Sequence, residues 1–444
     1  MTFVVVSPAG KPVLISRDGH GDEEEMVYTG LAATARALLS FADSKFQGPL
    51  RVLKKSSGRQ LYFLDCPPLS FIAVTDASTP GAVTRARLAL LHAQIAGLFT
   101  QPALCAVYER EPGFDLRRLL VGSGDRMLRA LIEGFETRPC SFLGAVPGRV
   151  MGCGRRRAIT DRLRLAVGGS GSAFGVLFDA EGRLVSSIAS PMTGAALCAW
   201  DSILLGNLCR VLEQAETLLS VCLPFYDGRG NFYAYARQQG GFTVILLSGA
   251  EIADVEVFRE ASMAVLSLCC EGGGDGGRSG EQDDALVGDV HPEVNYIFKN
   301  SRANQYVTNG LCPIRAGGLG EVLGRYARMR VAMFSIDGTD MPMAEQMLWS
   351  LEASHASWRS RPHKLQKPLR PIQPSHGFRL EHVGATTYVA FASVDAELYV
   401  SMDASMFDGH DDQTFHTDAV EYATALRARL VCQSQRLFFS HEDE

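Results

Sequence analysis

The sequence contains no apolar run of the roughly 18 residues that cross a bilayer as a helix. Nor does any of its eleven cysteines stand in a C-x-x-C pair, so the usual ligand spacing of a structural zinc site is missing. Most of the cysteines sit in apolar stretches such as SVCLP (220–224) and LVCQS (430–434). They are expected to be small buried hydrophobes in a reducing compartment. Positive charge is also short. Lysine and arginine number 43 against 49 acids, a net charge of −6, which gives no general attraction to nucleic acid.

The signatures of covalent chemistry are equally scarce. No H-E-x-x-H or paired-histidine spacing occurs, and no Ser/His/Asp set can be assembled. Gly10-Lys11 is followed by Pro12 rather than by the Ser or Thr that a phosphate loop needs for magnesium. VGGSGSAFG (167–175) follows a helical pattern and precedes a strand, the reverse of the order that sets a dinucleotide at a helix N-terminus. The acid and histidine cluster DGHDDQTFH (408–416) sits where the last helix must begin, so Asp411 or Asp412 is read as a cap. No cofactor, metal or covalent catalysis is expected.

What is present is apolar surface for real cores. Hydrophobic residues make up 46% of 444, with 21% charged, a length that suits about three domains. FVVVSPAGKPVLIS (3–16) reads as a hairpin turning at Gly10. An Asp22/Glu25 capping pattern then opens a helix, with Val27, Leu31, Ala35, Leu38 and Ala42 assigned to its core face by their spacing. LRVLKK, QLYFLD and LSFIAVT form a meander, and Thr79-Pro80 reads as the cap and first residue of a second helix. That helix is expected to bury Leu88, Leu91, Ile95 and Leu98 on one face. The unit recurs. A hairpin at 174–190, a helical stretch at 194–215, three strands within 218–248 and a helix from Val255 make the second copy. A hairpin at 294–308, a helix near 342–357, strands within 378–403 and a helix around Phe415–Leu430 make a blurred third. The expected fold class is therefore α/β, with three domains, each an antiparallel five-stranded sheet flanked by helices. The domains are placed at 1–138, 139–270 and 290–444, with the glycine-rich acidic stretch 271–289 as a flexible linker.

Two basic tracts stand against the negative net charge. One holds Arg155, Arg156, Arg157, Arg162 and Arg164 on a helix; the other holds Arg359, Arg361, Lys364, Lys367 and Arg370 without an acid. A solvated face explains each, and contact with a phosphoinositide-containing membrane is the functional alternative, because clustered cations gain about 1 kcal/mol each near an anionic surface.

The order strand-strand-helix-three strands-helix is the longin arrangement. The opening hairpin, FDLRRLL (114–120), VCLPFYDGRGNFYAY (221–235), LLHAQIAGLFT (90–100) and, more faintly, YIFKNSRANQYVT (296–308) together resemble the monensin-sensitivity (MON) family of vacuolar fusion proteins. The resemblance implies three longin domains and an obligate heterodimer with a calcium-caffeine-zinc-sensitivity (CCZ) type longin subunit. It implies a guanine nucleotide exchange factor for a late-endosomal Rab seven-type GTPase, engaged also by an upstream early-endosomal Rab. The setting would be cytoplasmic, on endosome, lysosome or vacuole membranes. A longin scaffold or tether without exchange activity is the alternative. By the same resemblance the GTPase meets the helix at 25–42 and the strand at 50–55, which nominates Tyr28, Thr29, Ala32, Arg36, Leu39, Arg51 and Leu53. Two departures matter: the chain opens on its first strand where the family carries a long acidic tail, and Leu218 stands where the family has a tryptophan before VCLP. Regulation through such a tail, and an aromatic contact at 218, are thereby left open.

Overall fold

The computed structural model describes residues 1–16, 22–46, 50–193, 196–249, 252, 254–270, 290–291, 294–309, 319–334, 377–383, 386–393, 395–403, 406, 412–433 and 438. The expected linker 271–289, the expected helix at 342–357 and the basic tract 359–370 lie outside these residues.

The first sheet is built from β1 (Thr2–Val6), β2 (Pro12–Ile15), β3 (Val52–Lys54), β4 (Gln60–Cys66) and β5 (Leu69–Thr75), in the order β2-β1-β5-β4-β3. The β1–β2 turn closes through Ser7 and Lys11, with Gly10 at φ +78°, a conformation glycine reaches without a Cβ penalty. Alternation of side chains across the strands gives two apolar faces. Val4, Val6, Leu61, Phe63 and Ile72 point to helix α1 (Asp22–Phe46). On the other face Phe71 meets His92 of α2 (Gly81–Phe99), and Phe3 meets Phe135 of α5 (Ser123–Thr137).

Helix α2 is buried on nearly every side rather than on one face, because α5 and the short helix α9 (Pro224–Asp227) cover what the sheet does not. Its high apolar content is therefore a core property; no single described helix is long and apolar enough to cross a membrane. The helix starts after Pro80, which occupies the N-cap position without a side-chain cap, so the expected Thr79 cap is not formed. Helices α3 (Gln101–Arg110), α4 (Arg117–Leu120) and α6 (Cys140–Leu143) complete this part of the chain.

The second sheet repeats the connectivity. Strands β7 (Phe174–Asp179), β8 (Leu184–Ala189), β9 (Glu216–Leu223), β10 (Gly228–Gln239) and β11 (Phe242–Ser248) run β8-β7-β11-β10-β9. Helices α7 (Cys153–Ser170) and α10 (Val255–Cys270) share one face through Ile159, Leu163, Val167, Val265 and Leu266. Helix α8 (Ala199–Val211) lies against Phe178 on the other. The glycine-rich VGGSGSAFG is the end of α7: Gly171 is left-handed and its N–H donates to the Val167 carbonyl.

The third sheet holds β12 (Val294–Asn300), β13 (Gln305–Thr308), β14 (Gly377–Val383), β15 (Thr386–Ala392) and β16 (Ala396–Asp403). Its order is β14-β15-β16-β12-β13, followed by a sixth strand, β6 (Val146–Pro147). With β6 set aside, the three sheets have one strand order, which makes them three copies of one α/β unit. Helix α12 (Asp412–Cys432) covers one face with Ala419, Ala423, Leu426 and Leu430. The described helix between hairpin and meander is α11 (Leu319–Phe334), a position that periodicity alone did not mark.

Contacts divide the chain into two compact units. One contains residues 1–142 with 222–231, which take in the end of β9 and the start of β10; the other contains the rest of the second sheet and the third. Inside the latter, β6 and the residues after it join the two sheets. Val146 N–H donates to the Asn304 carbonyl and Gly148 N–H to Tyr306, while Arg149 N–H reaches across to Leu184 on β8. The Arg149 guanidinium then pairs with buried Asp179 at 3.3 Å and lies 5.0 Å over the Phe242 ring.

Candidate functional site

Helix α1 and strand β3 carry the surface nominated for partner contact. The buried stripe of α1 is Ala32, Ala35, Leu39 and Ala42, facing Val4, Val6 and Ile72. Two nominated residues, Ala32 and Leu39, are therefore core and not partner-facing, and Val27, expected in the core, is 67% exposed. Of the others, Thr29 and Arg51 are exposed, while Tyr28, Arg36 and Leu53 are half-buried, Tyr28 and Leu53 packing against the sheet core. Arg36 Nη1 donates to Ser70 Oγ at 3.1 Å, and Ser70 donates to Asp65, so this arginine ties α1 to the sheet.

The outward face of α1 carries Val27, Gly30, Thr34, Ala37 and Phe41, all exposed, with Phe41 at 54%. Spacings of three and four put them on one side of the helix. Small residues flanked by two large apolar ones make a shallow surface suited to a protein partner rather than to a small molecule. The spacing places Val27 in the core and does not single out Phe41, because LAATARALL offers alanine and leucine in both possible phases.

The first basic tract separates into structural and surface residues. Arg156 is buried and donates to the Arg149 carbonyl at 2.7 Å and to Val185, so it anchors α7 and does not face a membrane. Arg155 donates to the Cys269 carbonyl in the last turn of α10, where a cation meets the negative helix end. Arg164 pairs with Asp161. Arg157 and Arg162 are exposed. The nominated Arg359, Arg361, Lys364 and Lys367 lie outside the described residues. Leu218, at the outer strand β9, is 49% exposed.

The strongest electrostatic cluster lies in the third domain and was not foreseen. Lys299 and Glu397 are directly opposite across β12 and β16, with Nζ 2.8 Å from Oε1. Arg330 of α11 grips the same carboxylate with Nε at 2.6 Å and Nη2 at 3.1 Å, and Tyr399 OH donates at 2.7 Å. Burial alone would raise the Glu397 pKa, but the Arg330 and Lys299 charges and their hydrogen bonds hold it well below the carboxylate range. Burial lowers that of Lys299. All four groups are consumed by one another, so the cluster reads as a structural staple. Among the described residues no group of His, Cys, Asp and Glu is placed to hold a metal. Of the described cysteines, Cys140, Cys209, Cys222 and Cys269 are buried and Cys153 and Cys432 are exposed; none is in a disulfide.

Residues 1–131 match the family described as the first longin domain of FUZ, MON1 and HPS1. The N-terminal domain is a longin domain. Over 249 residues, 55% of this chain, the sequence is 32% identical to human vacuolar fusion protein MON1 homolog B, of which 44% is covered. It is 28% identical over 234 residues to human MON1 homolog A, covering 52% of this chain and 34% of that protein. With MON1 of Yarrowia lipolytica it shares 25% over 321 residues, 69% of this chain and 56% of that protein. In these alignments the chain spans about a third to just over half the length of the curated relatives it matches. Each alignment is longer than the 131 residues of the longin domain, so the likeness to the MON1 proteins continues beyond it.

Proposed function

We propose that the chain acts in vesicle trafficking as the MON-type subunit of a heterodimeric guanine nucleotide exchange factor, paired with a CCZ-type longin subunit and acting on a late-endosomal Rab seven-type GTPase. The observation that carries this reading is the 249-residue likeness to a vacuolar fusion protein, extending past the longin domain. The repeated sheet order and the shallow, partly apolar α1 face support it. Exchange needs no nucleophile. A surface that binds the nucleotide-free GTPase better than the loaded form weakens nucleotide binding reciprocally. In this reading the chain is regulatory rather than catalytic and works in the cytoplasm at endosome, lysosome or vacuole membranes. Phosphoinositide headgroups and an upstream early-endosomal Rab complete its partners.

The test is release of labelled GDP from a Rab seven-type GTPase by the chain co-purified with its CCZ-type partner. Thr29→Arg combined with Arg51→Glu, both at exposed positions, should slow release at least tenfold, about 1.4 kcal/mol, while leaving the melting temperature unchanged. A stable complex that never accelerates release would favour the longin scaffold instead.

A further inference from the structure

Sheet edges invite pairing with other chains, and folds blunt them with short strands, proline, charge or cover. Among the described residues, four of the six sheet edges are managed in this way. β2 has four residues and starts with Pro12; β3 has three. β8 is met by Gly148 and Arg149, and β13 by β6. β9, eight residues long, also ends its sheet, but its single acid, Glu216, is spent on Arg237 and Arg259 and offers a second copy no pair of opposite charges. The sixth, β14, is seven residues long and ends its sheet among the described residues.

The sequence of β14 is self-complementary. Gly377-Phe-Arg-Leu-Glu-His-Val383 places Arg379 and Glu381 one residue either side of Leu380. Two copies laid antiparallel about a twofold axis at Leu380 would set Arg379 opposite Glu381 of the second copy, twice. The same register sets Phe378 opposite His382 of the second copy. Opposite charges facing each other across strands are stabilising, whereas a protected edge carries like charges that repel a second copy. Within one copy Arg379 Nε already pairs with Glu381 Oε1 at 3.2 Å, and Arg325 Nη1 holds Glu381 Oε2 at 3.1 Å. Arg379, 45% exposed, would exchange its own Glu381 for that of the second copy while Arg325 stays bound. Phe378 is 51% exposed, its ring tilted at 50° with its centre 5.2 Å from that of Phe391, whose ring lies under Arg427. This aromatic step beside the edge is what a second copy would cover.

We infer that β14 is a self-association edge through which two copies of this chain join their third sheets into one continuous antiparallel sheet. The interface is isologous, each copy giving and receiving the same contacts. Strand pairing with one aromatic flank is a small interface, so the dimer should be reversible, with a Kd on the order of micromolar. This edge is separate from the α1 and β3 surface, so the inference stands or falls independently of the exchange reading.

The experiment is sedimentation velocity on the full chain, alone or in the complex it purifies with, over a concentration series. It is paired with hydrogen exchange of residues 377–383. The wild type should double in mass with rising concentration, and its β14 amides should gain protection over the same range. Arg379→Glu alone and Glu381→Lys alone should each weaken the dimer at least tenfold. Mixed together they should associate, because each Glu at 379 or 381 of one chain then faces a cation of the other. Rescue by mixing separates a charge effect from misfolding. A wild type that stays single across the series, a dimer indifferent to Arg379→Glu, or a mixture that fails to associate overturns the inference. So does β14 protection that appears only on adding another protein, which would give the edge to a heterologous strand.

Discussion

Replacing Glu397 with glutamine removes one negative charge from between two buried cations. Lys299 Nζ and the Arg330 guanidinium both lie within 3 Å of its oxygens, and the side chains are 8% and 13% exposed. Removing the anion leaves both cations desolvated without a counter-charge. Breaking a buried pair in this way costs about 3–5 kcal/mol. For a unit of this size that corresponds to a fall in Tm of about 6–20 °C. Lys299→Met should cost far less, below about 1.5 kcal/mol, because Arg330 still binds the carboxylate with two N–H groups and Tyr399 with a third bond. Urea titration and calorimetry at pH 7 on both variants provide the comparison.

The pH dependence gives a second readout. The folded pKa of Glu397 lies well below its ordinary value of 4.5, so its stabilisation is fully present above that pH and drains away as pH falls toward the depressed value. Glu397→Gln should therefore lose most at neutral pH and show a shallower acid limb than the wild type. If the two variants cost the same within 1 kcal/mol, or if their acid limbs superimpose on the wild type, the account of this cluster is wrong.

Other outcomes follow from single positions. Arg157→Glu with Arg162→Glu should lower sedimentation with phosphoinositide vesicles by about thirtyfold or more, at roughly 1 kcal/mol per lost cation, without moving Tm; Arg156→Met should do the converse. Gly175→Ala should destabilise by about 1–3 kcal/mol, since the new Cβ would lie 2.5 Å from Val167 Cγ2 and 3.1 Å from Leu163 Cδ1. Gly30→Ala, with nothing within 4 Å of the new methyl, should stabilise α1 by up to about 1 kcal/mol, both measured by thermal melting.

The fold was legible wherever local signals agreed. Gly10, Gly182 and the Ser56-Ser57-Gly58 turn each separate runs of β-forming residues, and the structure turns at all three. The phase of α1 was legible in part: Ala35 and Ala42 are buried as expected, but alanine is compatible with either face, and only the sheet adds Ala32 and Leu39 to the stripe and leaves Val27 outside it. Arg156 looked like one more surface cation since the carbonyls that bind it, Arg149 and Val185, converge only on folding. The Lys299, Arg330 and Glu397 cluster joins residues up to 98 positions apart, beyond any local pattern. Thr29 and Arg51, nominated for partner contact, lie at exposed positions; Phe41, exposed at 54%, carries no sequence signal that sets it apart.

Strand β6 has only two residues, yet it pairs with Gln305 and Tyr306, some 160 positions later. During synthesis Val146 and Pro147 leave the ribosome long before their partner strand exists, and they must wait for it. The two residues of β6 thus lack their ladder partner until the third sheet is made. A fragment cut between residues 270 and 290, the natural place to divide the chain by composition, would release two pieces that each lack a border the other supplies. Because residues 222–231 pack within the first unit, a cut at 142 also divides a unit, so dissection experiments should start from the full chain, and losses of function from shorter pieces should be read first as unfinished folding.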